Sequence, residues 1–191
     1  MYTTRASLLQ RLKDPQDDAS WKEFYHLYSP LLASYARARG LSADLAEEVV
    51  QQCMVTLSQH LRTFEYSKDK GGFKSWLRTM ATNKVYDLMK KRRVPSVDDA
   101  ALAQVQSREP ALDEIWETEW RKHHLMYCLR LIKKEVAEDT YQAFDYYVLK
   151  EWPVERVAQT LGVSANKVYV AKSRIEKKLR QKMLELIGEE S

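Results

Sequence analysis

Hydrophobic residues recur every three or four positions along most of the first half of the chain, a spacing typical of amphipathic helices. It predicts an apolar helical face from Trp21 to Tyr35 with a restart at Ser29-Pro30, then helices from about Asp44 to Phe64 and from about Phe73 to Arg93. The charged sequence EYSKDKGG, residues 65–72, is typical of a loop. We therefore expect a helical bundle in this half.

The same spacing predicts helices over Ile115 to Val136 and Thr140 to Leu149 in the second half. A further pair is predicted in VAQTLGVSANKVYVAKSRI, residues 157–175. Gly162 can end the first helix of this pair because glycine adopts a left-handed backbone, and Ser164 can cap the second. The pattern indicates a helix-turn-helix.

A stretch with few large hydrophobic residues separates the two groups of helices. VPSVDDAALAQVQSREP is bounded by prolines and is typical of a linker. We therefore expect an all-α chain with two small helical bundles. The first domain is placed at residues 1–94, an acidic linker at 95–114, and the second domain, with the helix-turn-helix, at 115–191.

Composition agrees with this fold class. The chain has 191 residues, of which 45% are hydrophobic, and only five glycines and five prolines, so it can bury a core with few turns. Cys53 and Cys128 each lie within a helical pattern, and the sequence shows no signal peptide and no long uncharged apolar run. We expect a cytoplasmic protein with no membrane partner.

Charge is distributed unevenly, although the net charge is only +4. Residues 60–93 hold ten basic and three acidic side chains. Residues 94–120 hold one basic and seven acidic side chains, and residues 163–183 hold seven basic and one acidic. Two basic blocks that flank an acidic block indicate two surfaces for a polyanion.

The helix at residues 73–93 combines basic side chains with an amide and a tyrosine, Tyr86. This combination suits single-stranded nucleic acid, because cations bind phosphates, aromatic rings stack on bases and amides bind base edges. A solvated basic helix is the alternative. His124 and Cys128 lack the frame of a zinc site, so we expect no metal or other cofactor. Asp98-Asp99 has no catalytic triad or phosphate loop around it, and no enzymatic activity is expected.

Three motifs resemble the bacterial RNA polymerase sigma factors of the extracytoplasmic-function (ECF) class, within the sigma-70 superfamily. FxxWLxxxAxNxxxDxxKKRR at residues 73–93 is similar to the promoter-melting helix of that class, and AEEVVQQCM at 46–54 to its polymerase-binding segment, usually A-E-D-L-V-Q-E-x-F. VSANKVYVAKSRI, residues 163–175, resembles its fourth region. The resemblance covers roughly residues 5–185 apart from the linker.

The resemblance implies that the first domain, of region 2 type, binds core RNA polymerase and the unpaired minus-ten bases of promoter DNA. The implied polymerase contacts are Glu47, Glu48, Gln51 and Gln52. The implied minus-ten contacts are Tyr66, Asn83, Lys84, Asp87, Lys91 and Arg92, with Tyr66 stacking on a base. The acidic linker would correspond to the segment that passes through the polymerase active-site and RNA-exit region.

It also implies that the second domain, of region 4 type, reads the minus-thirty-five element as a duplex. Ser164 would cap the recognition helix. The residues implied to face the major groove are Asn166, Lys167, Tyr169, Val170 and Ser173, and those implied to meet phosphates are Lys172, Arg174, Lys177 and Lys178. Many family members have an arginine where this chain has Ala171, so individual base contacts do not transfer.

The implied function is that of a sigma factor, a specificity subunit for transcription initiation, whose partners are core RNA polymerase, promoter DNA and an anti-sigma factor. One alternative is a dimeric helix-turn-helix regulator that binds duplex DNA. Another is a helical adaptor with no role at DNA, which leaves both basic blocks unexplained. The N-terminal half discriminates between them, because a regulator needs neither a polymerase-docking face nor a basic helix for melted strand.

Overall fold

The computed structural model describes residues 5–61, 72–92 and 109–187. Every regular element in these ranges is a helix, which confirms the all-α prediction. The helices are α1 (Arg5–Arg11), α2 (Asp18–Ala38), α3 (Ala43–His60), α4 (Gly72–Arg92), α5 (Glu109–Glu135), α6 (Glu138–Phe144), α7 (Val154–Leu161) and α8 (Ala165–Ile187), with a π-helical turn at Asp145–Leu149. None of these described helices combines the length and hydrophobicity that a membrane span requires.

The chain divides into two compact units, and the division falls inside α5, between His123 and His124. The sequence pattern grouped all residues from 115 onward with the second bundle, whereas residues 115–123 belong to the first unit. Of the expected linker at 95–114, residues 109–114 are helical, and residues 95–108 lie outside the described ranges.

An aromatic cluster forms the core of the first unit where α2, α4 and α5 meet. Phe73 of α4 packs edge-on against Phe24 and Tyr28 of α2, with ring centroids 5.9 Å and 5.4 Å away. Trp116 of α5 packs edge-on against Tyr35 at 5.0 Å, and Trp120 lies 6.3 Å from Tyr28. Both tryptophans are almost fully buried. Burial of such large apolar rings explains why the start of α5 joins this unit.

Helix α2 is continuous, although the sequence predicts a restart at Ser29-Pro30. The Asp17 carboxylate accepts a 3.0 Å hydrogen bond from the Ser20 backbone N–H and so caps the helix. Pro30 lies inside the helix and lacks the N–H that would bond one turn back. Buried side chains on both sides of the proline hold the helix together, namely Leu27, Tyr28, Leu31, Leu32 and Tyr35.

The second unit packs the end of α5 and helix α6 against α8. Its buried centre consists of Leu129, Ile132, Phe144 and Ile175. Helices α7 and α8 are joined by the turn that the sequence predicts: Gly162 has a left-handed backbone with φ of 63°, and the backbone N–H of Lys167 donates a 3.2 Å hydrogen bond to Ser164 Oγ. Both turn residues therefore have the local roles expected of them.

Candidate nucleic-acid and polymerase interfaces

The outward face of α3 carries the four side chains that the resemblance assigns to polymerase binding. Glu47 and Gln51 are exposed, and Glu48 and Gln52 are half-buried. Gln52 Nε2 donates a 2.8 Å hydrogen bond to Glu48 Oε1 one turn earlier, which holds both side chains on one ridge. The core-facing residues of the same helix are Ala46, Val49, Val50, Cys53 and Leu57. The polar face can therefore contact a partner without disturbing the core.

Cys53 lies beneath this face and is fully buried. Burial raises the pKa of its thiol to about 12, although the nearby Lys84 ammonium acts in the opposite direction. The thiol stays protonated near neutral pH and is therefore a poor nucleophile. Its role is to fill the core under the outward face of α3.

Helix α4 turns part of its predicted minus-ten set outward. Asn83, Asp87 and Lys91 are exposed and Lys84 is half-buried, whereas the core-facing residues are Leu77, Ala81, Val85 and Leu88. Arg92 is the last residue of α4. Tyr66, the residue predicted to stack on a base, lies outside the described ranges.

One open groove brings the two predicted sets together. It has a volume of about 910 Å³ and is lined by Glu48, Gln51 and Gln52 from α3 and by Lys84, Asp87 and Lys91 from α4. Glu47 and Asn83 are not among its lining residues. The resemblance assigned these residues to two different partners, and the packing of α3 beside α4 makes the two faces adjoin.

Four groove residues were missed by sequence reasoning, namely Val55, Thr56, Gln59 and Lys90. The first three continue the ridge of Glu48 and Gln52 at helical spacing, so periodicity could have found them. Val55 is an apolar side chain with 56% of its surface exposed, on a face that is otherwise polar.

The opposite face of α4 binds the acidic start of α5. Lys74 Nζ lies 2.7 Å from Glu117 Oε1, and Arg78 Nη1 lies 2.9 Å from Asp113 Oδ1. The Ser34 hydroxyl of α2 also donates a hydrogen bond to Glu119. Two cations of the first basic block are therefore paired within the unit. The cations of α4 that line the groove are Lys84, Lys90 and Lys91, which lie there with the carboxylate of Asp87.

Tyr86, the aromatic residue within the predicted melting helix, already contacts a cation. The Arg39 guanidinium carbon lies 5.1 Å from the centroid of its ring. Arg39 Nη1 also donates a 2.8 Å hydrogen bond to the Tyr35 hydroxyl, which lies 2.9 Å from Thr82 Oγ1. This network covers one face of the Tyr86 ring, so base stacking there would have to use the other face.

In the second unit, α8 presents an outward row at intervals of three and four residues. Asn166, Val170, Ser173 and Lys177 form this row and are all exposed. The core-facing residues of α8 are Val168, Ala171 and Ile175. All four row residues belong to the predicted minus-thirty-five set, and this row is the part of that set best placed to enter a major groove.

One flank of α8 is paired with acidic residues of α5 and α6. Lys167 Nζ lies 2.8 Å from Asp139 Oδ2, and Glu135 pairs with Lys178 at 3.3 Å and Lys182 at 2.7 Å. The hydrogen bond from Lys167 holds the pKa of the Asp139 carboxyl below its ordinary value, with help from the Thr140 backbone N–H. A cavity of about 110 Å³ beside this flank is lined in part by Asp139, Lys167 and Arg174.

The other flank of α8 contacts the π-helical turn. The ring of Tyr169 lies edge-on to Tyr147 with centroids 5.6 Å apart, and Lys172 Nζ lies 5.6 Å from the centroid of the Tyr147 ring. Desolvation, followed by the interaction with Tyr147, raises the pKa of the Tyr169 hydroxyl. Tyr169 and Lys172 therefore have an intramolecular partner that the sequence did not indicate.

No group of three or more His, Cys, Asp or Glu side chains within residues 5–61, 72–92 and 109–187 is arranged to hold a metal ion. Cys128, which was weighed with His124 as a ligand pair, is buried, and its Sγ lies 3.7 Å from Met183 Sδ. The side chains of Cys128 and Met183 are therefore part of the packing of the second unit.

Comparison with known proteins bears on the first unit. Residues 24–94 match the family Sigma-70 region 2, and this range contains α3, α4 and the groove between them. This part of the chain is similar to sigma-70 region 2. This match confirms the sigma-70 relationship predicted from the motifs at residues 46–54 and 73–93. The groove therefore lies in the part of the chain that matches region 2, and the predicted polymerase and minus-ten residues that line it are all inside the matched range.

A curated relative that the chain resembles is the ECF RNA polymerase sigma factor RpoE of Cereibacter sphaeroides, 28% identical over 97 residues. The alignment covers 51% of this chain, and the chain spans about half, 52%, of the length of that relative. Among solved structures, CnrH in complex with the cytosolic domain of CnrY is 18% identical with a TM-score of 0.38, covering 91% of this chain and 93% of the other. The RsbN–BldN complex is 16% identical with a TM-score of 0.37, and the alignment covers 91% of this chain and 97% of the other.

Proposed function

We propose that the protein is an ECF-class sigma factor that binds core RNA polymerase and directs it to promoters. The observation that carries this proposal is the match of residues 24–94 to sigma-70 region 2. Such a protein is a specificity subunit that acts in the cytoplasm, and it needs neither a cofactor nor catalytic residues of its own. The family resemblance adds an anti-sigma factor as a proposed partner.

The outward face of α3 is the proposed polymerase contact. Glu47, Glu48, Gln51 and Gln52 offer carboxylate and amide groups over a buried core, so a partner gains hydrogen bonds without forcing the helix to repack. Val55 adds an exposed apolar contact in the same groove. Apolar side chains surrounded by polar ones are common near the centre of protein interfaces.

The exposed face of α4 is the proposed contact for the unpaired minus-ten strand. Lys84, Lys91 and Arg92 supply charge for phosphates, and Asn83 and Asp87 supply hydrogen-bonding groups for base edges. Tyr66 is proposed to stack on a base. Because Lys74 and Arg78 are paired with α5, the strand is expected along the groove side of α4.

Helices α7 and α8 are proposed to form the helix-turn-helix that reads the minus-thirty-five duplex. The outward row of α8 combines an amide, an apolar side chain, a hydroxyl and a cation. In a major groove, an amide can bind adenine and an apolar side chain can contact the thymine methyl group. Asn166 and Val170 are the proposed base-reading residues, with Ser173 beside them and Lys177 at the backbone.

Reconstituted transcription tests the proposal. The purified chain would be added to core RNA polymerase that lacks any sigma factor, with sheared genomic DNA of the organism that encodes the chain as template. We expect co-elution with the polymerase and transcripts that start at discrete positions. A chain that ignores the polymerase and binds duplex DNA tightly as a dimer would instead be a regulator, and one that binds neither would be an adaptor.

A further inference from the structure

The ion pair between Lys167 and Asp139 joins the first turn of α8 to the first turn of α6. Lys167 Nζ lies 2.8 Å from Asp139 Oδ2, and the two side chains are 55% and 51% exposed. Lys167 directly follows Asn166 of the outward row, so its ammonium lies at the edge of the surface proposed to read duplex DNA. Both partners are accessible enough for an incoming phosphate to reach them.

A carboxylate and a phosphate of the DNA backbone both offer anionic oxygens that accept hydrogen bonds from a lysine ammonium, so the two groups can compete for it. A lysine that is already paired contributes less attraction to DNA, because phosphate must displace the carboxylate before the ammonium can neutralise it. An exposed ion pair is weak enough for a well-seated phosphate to displace it. The pairing therefore penalises loosely held DNA more than duplex that is correctly seated.

We infer that Asp139 limits non-specific duplex binding, acting as an internal competitor with phosphate for Lys167. This inference rests on the proposed function of α8. Asp139 differs from Glu135, which also pairs with lysines of α8 but has a side chain only 26% exposed, against Lys182, which is 13% exposed. Glu135 is thus part of the packing, whereas Asp139 is positioned at the accessible edge.

The adjacent residue offers a matched control. Glu138 is exposed and accepts a 3.1 Å hydrogen bond from Gln142 Nε2 within α6. Asp139→Asn and Glu138→Gln each remove one negative charge at neighbouring positions, and only the first releases Lys167. Circular dichroism of both full-length variants would verify that the helices are retained.

The test measures binding of the full-length chain to a random-sequence DNA duplex by fluorescence anisotropy across a series of NaCl concentrations. We expect Asp139→Asn to bind more tightly than wild type and to steepen the dependence of log K on log salt by about 0.9, the value for one added phosphate contact. Its advantage should then shrink about threefold between 50 and 200 mM salt. Glu138→Gln should leave the slope unchanged.

A double variant makes the test specific to the ion pair. In Asp139→Asn combined with Lys167→Gln, the gain in affinity and the steeper slope should both disappear. Equal behaviour of Asp139→Asn and Glu138→Gln, or a gain that persists without Lys167, would overturn the inference. A wild-type chain that binds no duplex, with or without core polymerase, would instead reject the proposed function of α8, so the two failures are distinguishable.

Discussion

The guanidinium of Arg78 lies 2.9 Å from the carboxylate of Asp113, on the side of α4 turned away from Asp87. This ion pair, with that of Lys74 and Glu117, shows that the acidic stretch before Trp120 neutralises part of the basic block it follows. Lys84, Lys90 and Lys91 of α4 line the groove. Charge counted along the sequence therefore overstates the basic surface that is available to nucleic acid.

Replacing Glu48 and Gln51 together by alanine should weaken binding to core RNA polymerase about tenfold, as expected for loss of a moderate interface contact. Both residues line the groove and neither belongs to the core of α3, so the free energy of unfolding should change by no more than about 0.5 kcal/mol. Glu114→Ala, which removes an exposed charge on α5, is the control. Unchanged polymerase affinity in the double variant would show that this face of α3 is not the docking surface.

Asn83→Ala and Asn166→Ala should separate the two proposed DNA contacts. The first should impair promoter melting, measured by permanganate footprinting, because an exposed amide on α4 is lost. The second should weaken recognition of the upstream duplex by about 1 to 3 kcal/mol, measured against a promoter with a randomised upstream element. Each variant is the control for the other, and equal defects in both assays would contradict the division into two sites.

Trp116→Ala should lower the free energy of unfolding of the first unit by about 3 to 5 kcal/mol, because this side chain is fully buried against Tyr35. Hydrogen exchange should show lost protection in α2 and α4 and retained protection in α8. Trp152→Ala, at a half-buried position in the second unit, should give the reverse pattern. Loss confined to α8 in the Trp116 variant would mean that the start of α5 stabilises the second unit.

Gly162→Ala should cost about 1 to 2 kcal/mol in urea unfolding. A Cβ at this position would meet no other atom within 4 Å, so the cost comes from the left-handed backbone alone. Gly162→Asn should cost less, since asparagine tolerates that conformation. Identical stability of the two variants would argue against this origin of the cost.

Cys53→Ala should change how stability depends on pH. The ordinary pKa of the thiol is 9.0 and burial raises it to about 12, so above pH 9 the unfolded chain releases a proton that the folded chain retains. The stabilisation is complete below pH 9 and is lost as the pH rises toward 12. The stability advantage of the wild type over the alanine variant should therefore shrink by about 1.4 kcal/mol between pH 8 and pH 10; a constant difference would exclude a buried thiol.

Periodicity and turn chemistry predicted most helices because those signals are local. Gly162 and Ser164 form the expected turn. The predicted restart at Ser29-Pro30 was wrong, since the sequence indicates the hydrogen bond that a proline lacks but not the buried residues that compensate for it. The unit in which Trp116 and Trp120 pack could not be predicted either, because an apolar helical face does not indicate which helices it packs against.

The sequence predicted individual residues of the candidate site but not the groove that several of them form together. Glu48 and Lys84 were assigned to different partners, and only the packing of α3 beside α4 shows that they line one groove. The pairing of Lys167 with Asp139 joins residues 28 positions apart, which no local pattern can reveal. These assignments to polymerase, minus-ten and minus-thirty-five contacts stay predictions that the experiments above address.

The contacts at one flank of α8 depend on the length of another segment, the π-helical turn at Asp145–Leu149. A π turn accommodates one more residue than an α-helical turn, so a segment one residue shorter would form an α-helical turn here, with its side chains spaced differently about the helix axis. The position of the Tyr147 ring, which now contacts Tyr169 and Lys172, depends on that spacing. Relatives that lack this extra residue should support the same flank of α8 with a different side chain, even where α8 itself is identical.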